Sequence, residues 1–126
     1  MSVHAEPSAG HFRLIGELDL SHRVQLKEAL KPLESVDLAV VDVSQVTYLD
    51  STVLGCLIGL RKAMVLNGKA GLVHIIGASS HIRRLFEVTG LVKIFDLDGN
   101  VPQISFQSTD IFKGSRSPPI TSDTIS

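Results

Sequence analysis

The sequence contains no Trp, one Tyr and only 5% aromatic residues. That excludes an interior of stacked rings and leaves an aliphatic core of Leu, Ile and Val. There is a single cysteine, Cys56. It cannot form an intrachain disulfide, so the fold needs no oxidising compartment. No charge of either sign dominates, since 12 Lys and Arg stand against 13 Asp and Glu for a formal net charge of −1. The basic footprint of a nucleic-acid binder is therefore missing. The longest basic runs, Arg61-Lys62 and Arg83-Arg84, are pairs that suit solvated helix faces. No apolar stretch approaches the ~18 residues of a membrane span. Residues 1–10 lack the basic start and apolar run of a secretion signal. A soluble, cytoplasmic protein without membrane insertion is expected.

Chemistry-bearing constellations are also scarce. The five histidines, His4, His11, His22, His74 and His81, show no metal-ligand spacing, and neither a metal nor a cofactor is expected. His74 lies in an apolar run and reads as a satisfied core or edge residue. Cys56 reads as packing rather than as a reactive thiol. Gly55 to Lys62 lacks the Gly-Lys-Ser/Thr ending of a phosphate loop. No Ser/His/Asp set has a recognisable elbow, so no catalytic residue is assigned.

What the chain does have is an alternation of strand-like and helix-like segments. His11 to Gly16 reads as a strand, with Val3 to Ala5 as a candidate antiparallel neighbour at the sheet edge. Ser21 to Leu33 reads as a helix that Ser21 caps and Pro32 ends, with Val24, Leu26, Leu30 and Leu33 on its apolar side. Leu38 to Val43 is a short apolar run rich in β-branched residues, as expected of a strand buried on both faces, and Val46 to Leu49 extend it irregularly. Asp50-Ser51-Thr52 opens a helix that runs to Leu66 and stops at Asn67-Gly68. Gly71 to Gly77 is a second buried strand, Ser80 to Thr89 a third helix and Leu91 to Phe95 a short strand. Val101 to Phe112 is a last amphipathic segment. The Ser/Thr/Pro-rich stretch 113–126 has too few apolar residues to offset its ordering entropy and is expected to be a disordered tail. One domain over residues 1–112 follows. Its class is α/β, with a mostly parallel or mixed sheet of four to five strands and about four helices.

The start of the helix at Ser51 is the most informative place. Free backbone N–H groups and the partial positive charge of a helix N-terminus favour a phosphate there. Asp, Ser and Thr are also the preferred N-caps, so plain capping and a modification site both remain open on spacing alone. At about 100° per residue, Val53, Leu54, Leu57, Ile58, Leu60, Met64 and Val65 form an apolar arc, with Arg61 within it extending its charged end to solvent. Ser51, Gly55, Gly59 and Lys62 lie opposite. Two glycines in a helix cost roughly 1 kcal/mol each relative to Ala. Close approach by another protein would explain them, and so would tight packing against a neighbouring element of the same chain.

Three segments together resemble the STAS domain family, and within it the stand-alone bacterial anti-sigma-factor antagonists. Gly16-Glu17-Leu18-Asp19 is similar to the family's Gly-Glu-Leu/Ile-Asp motif. Val40 to Thr52 is similar to its central strand running into Asp-Ser-Ser/Thr-Gly. Arg84-Leu85-Phe86-Glu87-Val88-Thr89-Gly90-Leu91 is similar to its later helix-and-turn signature. The resemblance spans about residues 3–112 and implies a partner-switching cycle. An anti-sigma factor with serine kinase activity would phosphorylate Ser51, with Thr52 as a secondary hydroxyl. The unphosphorylated form would bind that anti-sigma factor and free the sigma factor, and a PP2C-type phosphatase would reset the serine. Asp19, Asp50, Ser51, Thr52, Val53, Gly55, Gly59 and Lys62 would form the partner surface, and a homodimer remains open. Val53 departs from the family's usual Gly, and the stiffness of Val would narrow partner choice or remove kinase access. Two alternatives follow. One is a non-cycling STAS subunit of a transporter ATPase or signalling scaffold. The other is a receiver-like phosphoacceptor using Asp50, for which Glu17 and Asp19 are poorly spaced and only Lys93 is a late lysine.

Overall fold

Six consecutive buried residues, Leu38 to Val43, fix the middle of the structure. A strand buried on both faces needs neighbours on both sides, and this one has them. The computed structural model describes residues 8–98, 106 and 108–114. In chain order the strands are β1 (Ala9–Leu18), β2 (Leu38–Leu49), β3 (Leu72–Ile76), β4 (Asp96–Leu97) and β5 (Ser108–Gly114). The helices are α1 (Arg23–Leu30), α2 (Ser51–Leu66) and α3 (Ser80–Val88). The sheet order is β4-β3-β2-β1-β5, and each pairing is parallel.

The observed α/β class and parallel sheet match the expectation, with several differences of detail. Among the described residues three α-helices form rather than about four, and three short 3-10 turns accompany them. The expected helix from Ser21 to Leu33 divides into a 3-10 turn at Leu20–His22, α1, and a second 3-10 turn at Lys31–Ser35. Pro32 accounts for the second break, because it has no N–H to continue the hydrogen-bond ladder of α1. The cap at the start is Asp19, not Ser21, since the Asp19 carboxylate accepts from the Ser21 backbone N–H at 3.0 Å. Val24 is 69% exposed rather than part of the apolar side.

Leu91 to Phe95 is not a strand. Leu91 and Phe95 are buried while the three residues between them are exposed, a spacing of four that suits a helical turn rather than a strand. Leu91–Lys93 is a 3-10 turn, and the Phe95 N–H reaches the Leu91 carbonyl at 2.9 Å. At the far edge, β5 includes Lys113 and Gly114, two residues of the segment expected to be a tail. Positions 115–126 and the suggested edge strand at Val3 to Ala5 lie outside the described residues. Among the described residues no strand pairing is antiparallel, and β1 is flanked on both sides.

Helix ends follow their side chains. Gly68 adopts φ +79°. The Lys69 N–H bonds the Met64 carbonyl at 2.9 Å and the Gly68 N–H bonds that of Val65 at 3.0 Å, the paired bonds that close a helix through a left-handed glycine. The Ser79 hydroxyl caps α3 by accepting from the Ile82 N–H at 3.2 Å. The main core joins Phe12, Leu14 and Leu18 of β1 to Val41 and Val43 of β2 and to Val53, Leu57, Leu60 and Met64 of α2. Leu26 and Leu30 of α1 extend it on one side, and Phe86 of α3 meets Phe95 edge to face at 5.9 Å on the other. No helix among the described residues is long and apolar enough to cross a membrane.

Candidate functional site

The site is assembled where two neighbouring strands end together. Leu18 pairs with Leu49 across the β1–β2 ladder, so Asp19 and Asp50, the next residue on each chain segment, leave the sheet at the same end. Each then starts a helical segment as its cap. The Asp19 carboxylate accepts from the Ser21 hydroxyl at 2.6 Å and lies 3.2 Å from His22 Nδ1. That nitrogen also accepts from the Asp19 backbone N–H at 3.2 Å. The Asp50 carboxylate accepts from the Thr52 N–H at 2.9 Å, with Asp50 in extended geometry. Asp50 thereby consumes the capping role and leaves the Ser51 side chain free of it.

Ser51 is the first residue of α2 and is exposed; Thr52 is half-buried. Gly55, Gly59 and Lys62 are exposed along the same helix. Of the two explanations for the glycines, packing within the chain fails: a Cβ built on Gly55 or Gly59 would meet nothing within 4 Å. Val53 must be removed from the surface set. It is fully buried, so its side chain belongs to the core and is not presented to a partner. Two further details of the helix differ from the pattern. Val65 is 48% exposed, and Cys56 is buried in its place beside Leu57 and Leu60. The Arg61 side chain does not stand clear in solvent either: it is half-buried, and its Nε is enclosed without a hydrogen bond.

The smooth face of α2 is the floor of a groove whose other wall is α1. Leu20, Arg23 and Lys27 face Thr52, Gly55 and Cys56 at the Ser51 end. Farther along, Lys27, Leu30 and Glu34 face Gly59 and Leu60. Arg23, Lys27 and the 66%-exposed Leu20 belong to no motif that marks them as functional. The available signal is the pair of cations one helical turn apart at 23 and 27, bordering the face that carries Leu26 and Leu30. Cys56 lies at the bottom of the groove. Burial pushes its thiol above the usual range, Lys27 and Arg23 draw it back, and the Asp50 charge adds to the rise.

Asp42 is buried on β2, 3.4 Å from Arg13 Nε, and accepts from the Ser44 N–H at 2.9 Å. Burial pushes its carboxyl up, but the Ser44 hydrogen bonds and the Arg13 charge outweigh that and hold it below the usual range. His74 is only partly satisfied. Its Nε2 lies 3.4 Å from Asp96, whereas its Nδ1 is enclosed without a partner. No group of three metal-binding side chains converges among the described residues.

A small α/β domain with an exposed serine at a helix start, set beside an open interhelical groove, is the architecture of a binding module. A family model described as "Mlab, STAS domain" matches residues 1–97. The chain belongs to the STAS domain family. Over 78 residues it is 41% identical to the anti-sigma-B factor antagonist of Staphylococcus aureus (strain NCTC 8325 / PS 47), covering 60% of this chain and 70% of that protein. The antagonist of Staphylococcus epidermidis is equally similar, at 41% over 78 residues, with the same coverage of 60% and 70%. Among solved structures, the unphosphorylated anti-sigma factor antagonist SpoIIAA superimposes with a TM-score of 0.61 at 18% identity, over 78% of this chain and 86% of that one. The STAS domain of a SulP transporter from Vibrio cholerae superimposes with a TM-score of 0.54 at 15% identity, over 74% and 77%. At these identities the two structures speak to the fold alone.

Proposed function

We propose that this chain is an anti-sigma-factor antagonist, a binding partner and kinase substrate rather than an enzyme. In its unphosphorylated form it binds a cytoplasmic anti-sigma factor that has serine kinase activity, which releases the sigma factor. Phosphorylation of Ser51 ends that binding, and a PP2C-type phosphatase restores it. The observation that carries this reading is the exposed Ser51 side chain, first in α2, with Asp50 already filling the cap. A modification that needed the serine as cap would unravel the helix start; here the hydroxyl is spare. The partner-facing set is then Asp19, Asp50, Ser51, Thr52, Gly55, Gly59 and Lys62. The similarity to proteins named anti-sigma-B factor antagonist supports the same reading.

The switch requires no change of fold. A phosphate adds about 1.5 to 2 negative charges near neutral pH, and the helix N-terminus tolerates it in place. Asp19 and Asp50 already make this corner acidic. A partner complementary to the uncharged hydroxyl meets bulk and charge together. A thousandfold loss of affinity corresponds to ~4 kcal/mol, within reach of one buried, uncompensated charge. In the direct test, the purified kinase is incubated with the protein and ATP, and the phosphosite is mapped by mass spectrometry. Ser51 is the expected site, Ser51→Ala retains binding, and Ser51→Asp weakens it by tenfold or more. Phosphate on another residue, or equal binding by all three forms, would refute the mechanism. A pull-down that recovers a transporter ATPase and no kinase would favour the non-cycling alternative.

A further inference from the structure

The groove between α1 and α2 extends well past Ser51. Two adjoining hollows of about 270 and 220 Å³ share Lys27, Cys56 and Gly59. Between Thr52 and Leu60 the floor covers eight residue steps of α2, or about 12 Å, a little over two helical turns. We propose that this groove seats an amphipathic helix of the anti-sigma factor, with carboxylates of that helix against Arg23 and Lys27. The inference rests on the partner-switching reading and specifies which chemistry of the partner the surface selects.

The shape argues for a helix. Both walls are helices with internally satisfied backbones, so there is no sheet edge here for an extended peptide to join. A partner must instead lay side chains into the groove. The floor lacks side chains at Gly55 and Gly59, and open space lies above both, which admits a helix at close range. Leu20, 66% exposed in the groove's lining, offers apolar contact to such a helix.

The charges argue for an acidic one. Arg23 and Lys27 make no ion pair among the described residues, whereas Lys31 is paired to Glu28 at 3.6 Å. Two unpaired cations one turn apart match carboxylates spaced three or four residues apart on the partner. Glu34 closes the far end, which sets the order along the groove: carboxylates over Arg23 and Lys27, a basic or neutral residue near Glu34. Asp19 and Asp50 at the mouth repel an extended polyanion such as a nucleic acid, so separated carboxylates on a folded partner fit better.

The test is titration calorimetry of the purified anti-sigma factor kinase against the full chain and five variants, with circular dichroism to verify folding. Arg23→Glu and Lys27→Glu are each expected to weaken binding tenfold or more and to flatten its salt dependence. Gly59→Leu, which fills the floor from the solvent side, is expected to do so without the salt effect. Lys93→Glu, on an exposed turn after α3, serves as the unchanged control, and Ser51→Asp reports on the switch itself. If the kinase binds wild type, loses Ser51→Asp and still binds all three groove variants normally, the groove proposal is overturned and the partner-switching reading stands. If wild type does not bind the kinase, the partner-switching reading fails and takes the inference with it. Sedimentation that shows a wild-type dimer dissociated by Arg23→Glu would assign the groove to a second copy of this chain and overturn the proposed occupant.

Discussion

Replacing Gly55 and Gly59 together by alanine should make this protein more stable. Each glycine lies within α2, is exposed, and has nothing within 4 Å of the position a methyl group would take. Alanine therefore brings no clash, and it restricts the unfolded chain while favouring the helix. The expected effect is ~1 kcal/mol at each position and ~2 kcal/mol for the pair. For a chain of this length that is a rise of roughly 6 to 10 °C in Tm, or about 1 M in the urea midpoint. Gly16→Ala is the internal control. Gly16 has φ +93°, and a Cβ there would collide with the Gly114 carbonyl of β5, so the same chemical change should destabilise by about 2 kcal/mol or more. Thermal and urea unfolding of the variants measure both signs. If the Gly55/Gly59 double variant is less stable than wild type, the glycines serve the fold. The reasoning that assigns their cost to binding is then refuted.

Other groups give further expectations. The Asp37 carboxylate ties three segments, accepting from the Ala70 N–H at 3.1 Å and from the Ser8 N–H and hydroxyl at 3.2 and 3.4 Å. Asp37→Ala should cost about 1 to 3 kcal/mol near neutral pH. The Ala70 hydrogen bond leads the influences that hold its carboxyl below the ordinary 3.8. Its stabilisation is therefore present above that pH and is lost as the pH falls through the lower folded value. Wild-type and Asp37→Ala stabilities should converge in acid, and a constant gap would refute the assignment. Cys56, buried and with its thiol raised, should react with iodoacetamide at least ~10 times more slowly than free cysteine at pH 7.5. A rate equal to that of the free thiol would show that the groove floor is open.

The elements most legible in the sequence were those whose local signals and tertiary environment agree. The valine-rich run from Leu38 to Val43 reads as a strand flanked on both sides, and it is one. Helix α2 begins and ends where Asp50-Ser51 and Asn67-Gly68 predict. The less legible segments were those where tertiary contacts decide. Leu91 to Phe95 is apolar enough for a strand, yet Gly90 at φ +77° turns the chain so that Leu91 and Phe95 both face inward. The candidate site was legible as far as Asp19, Asp50 and Ser51, because motif and spacing carry them. Arg23 and Lys27 were not, because ordinary exposed cations acquire meaning only when α1 lies beside the glycine face of α2.

Val53 shows how a surface reading of a motif can mistake a core residue for a functional one. In the family's usual pattern this position is glycine, which suggests a loop needing room for the kinase. Here Val53 is the third residue of α2 and fully buried. It lies two positions after Ser51, about 200° around the helix, so its methyl groups point into the core while the Ser51 hydroxyl faces out. Val53→Gly should therefore leave a cavity beside β1 and β2 and add the helix penalty of glycine, for a loss of ~3 kcal/mol. The rate at which the kinase phosphorylates Ser51, corrected for the folded fraction, should stay the same. Urea unfolding and a steady-state phosphorylation assay on the two proteins measure these quantities separately. A tenfold faster phosphorylation in Val53→Gly with unchanged stability would mean that Val53 restrains the helix start against the kinase, and that its burial is incidental.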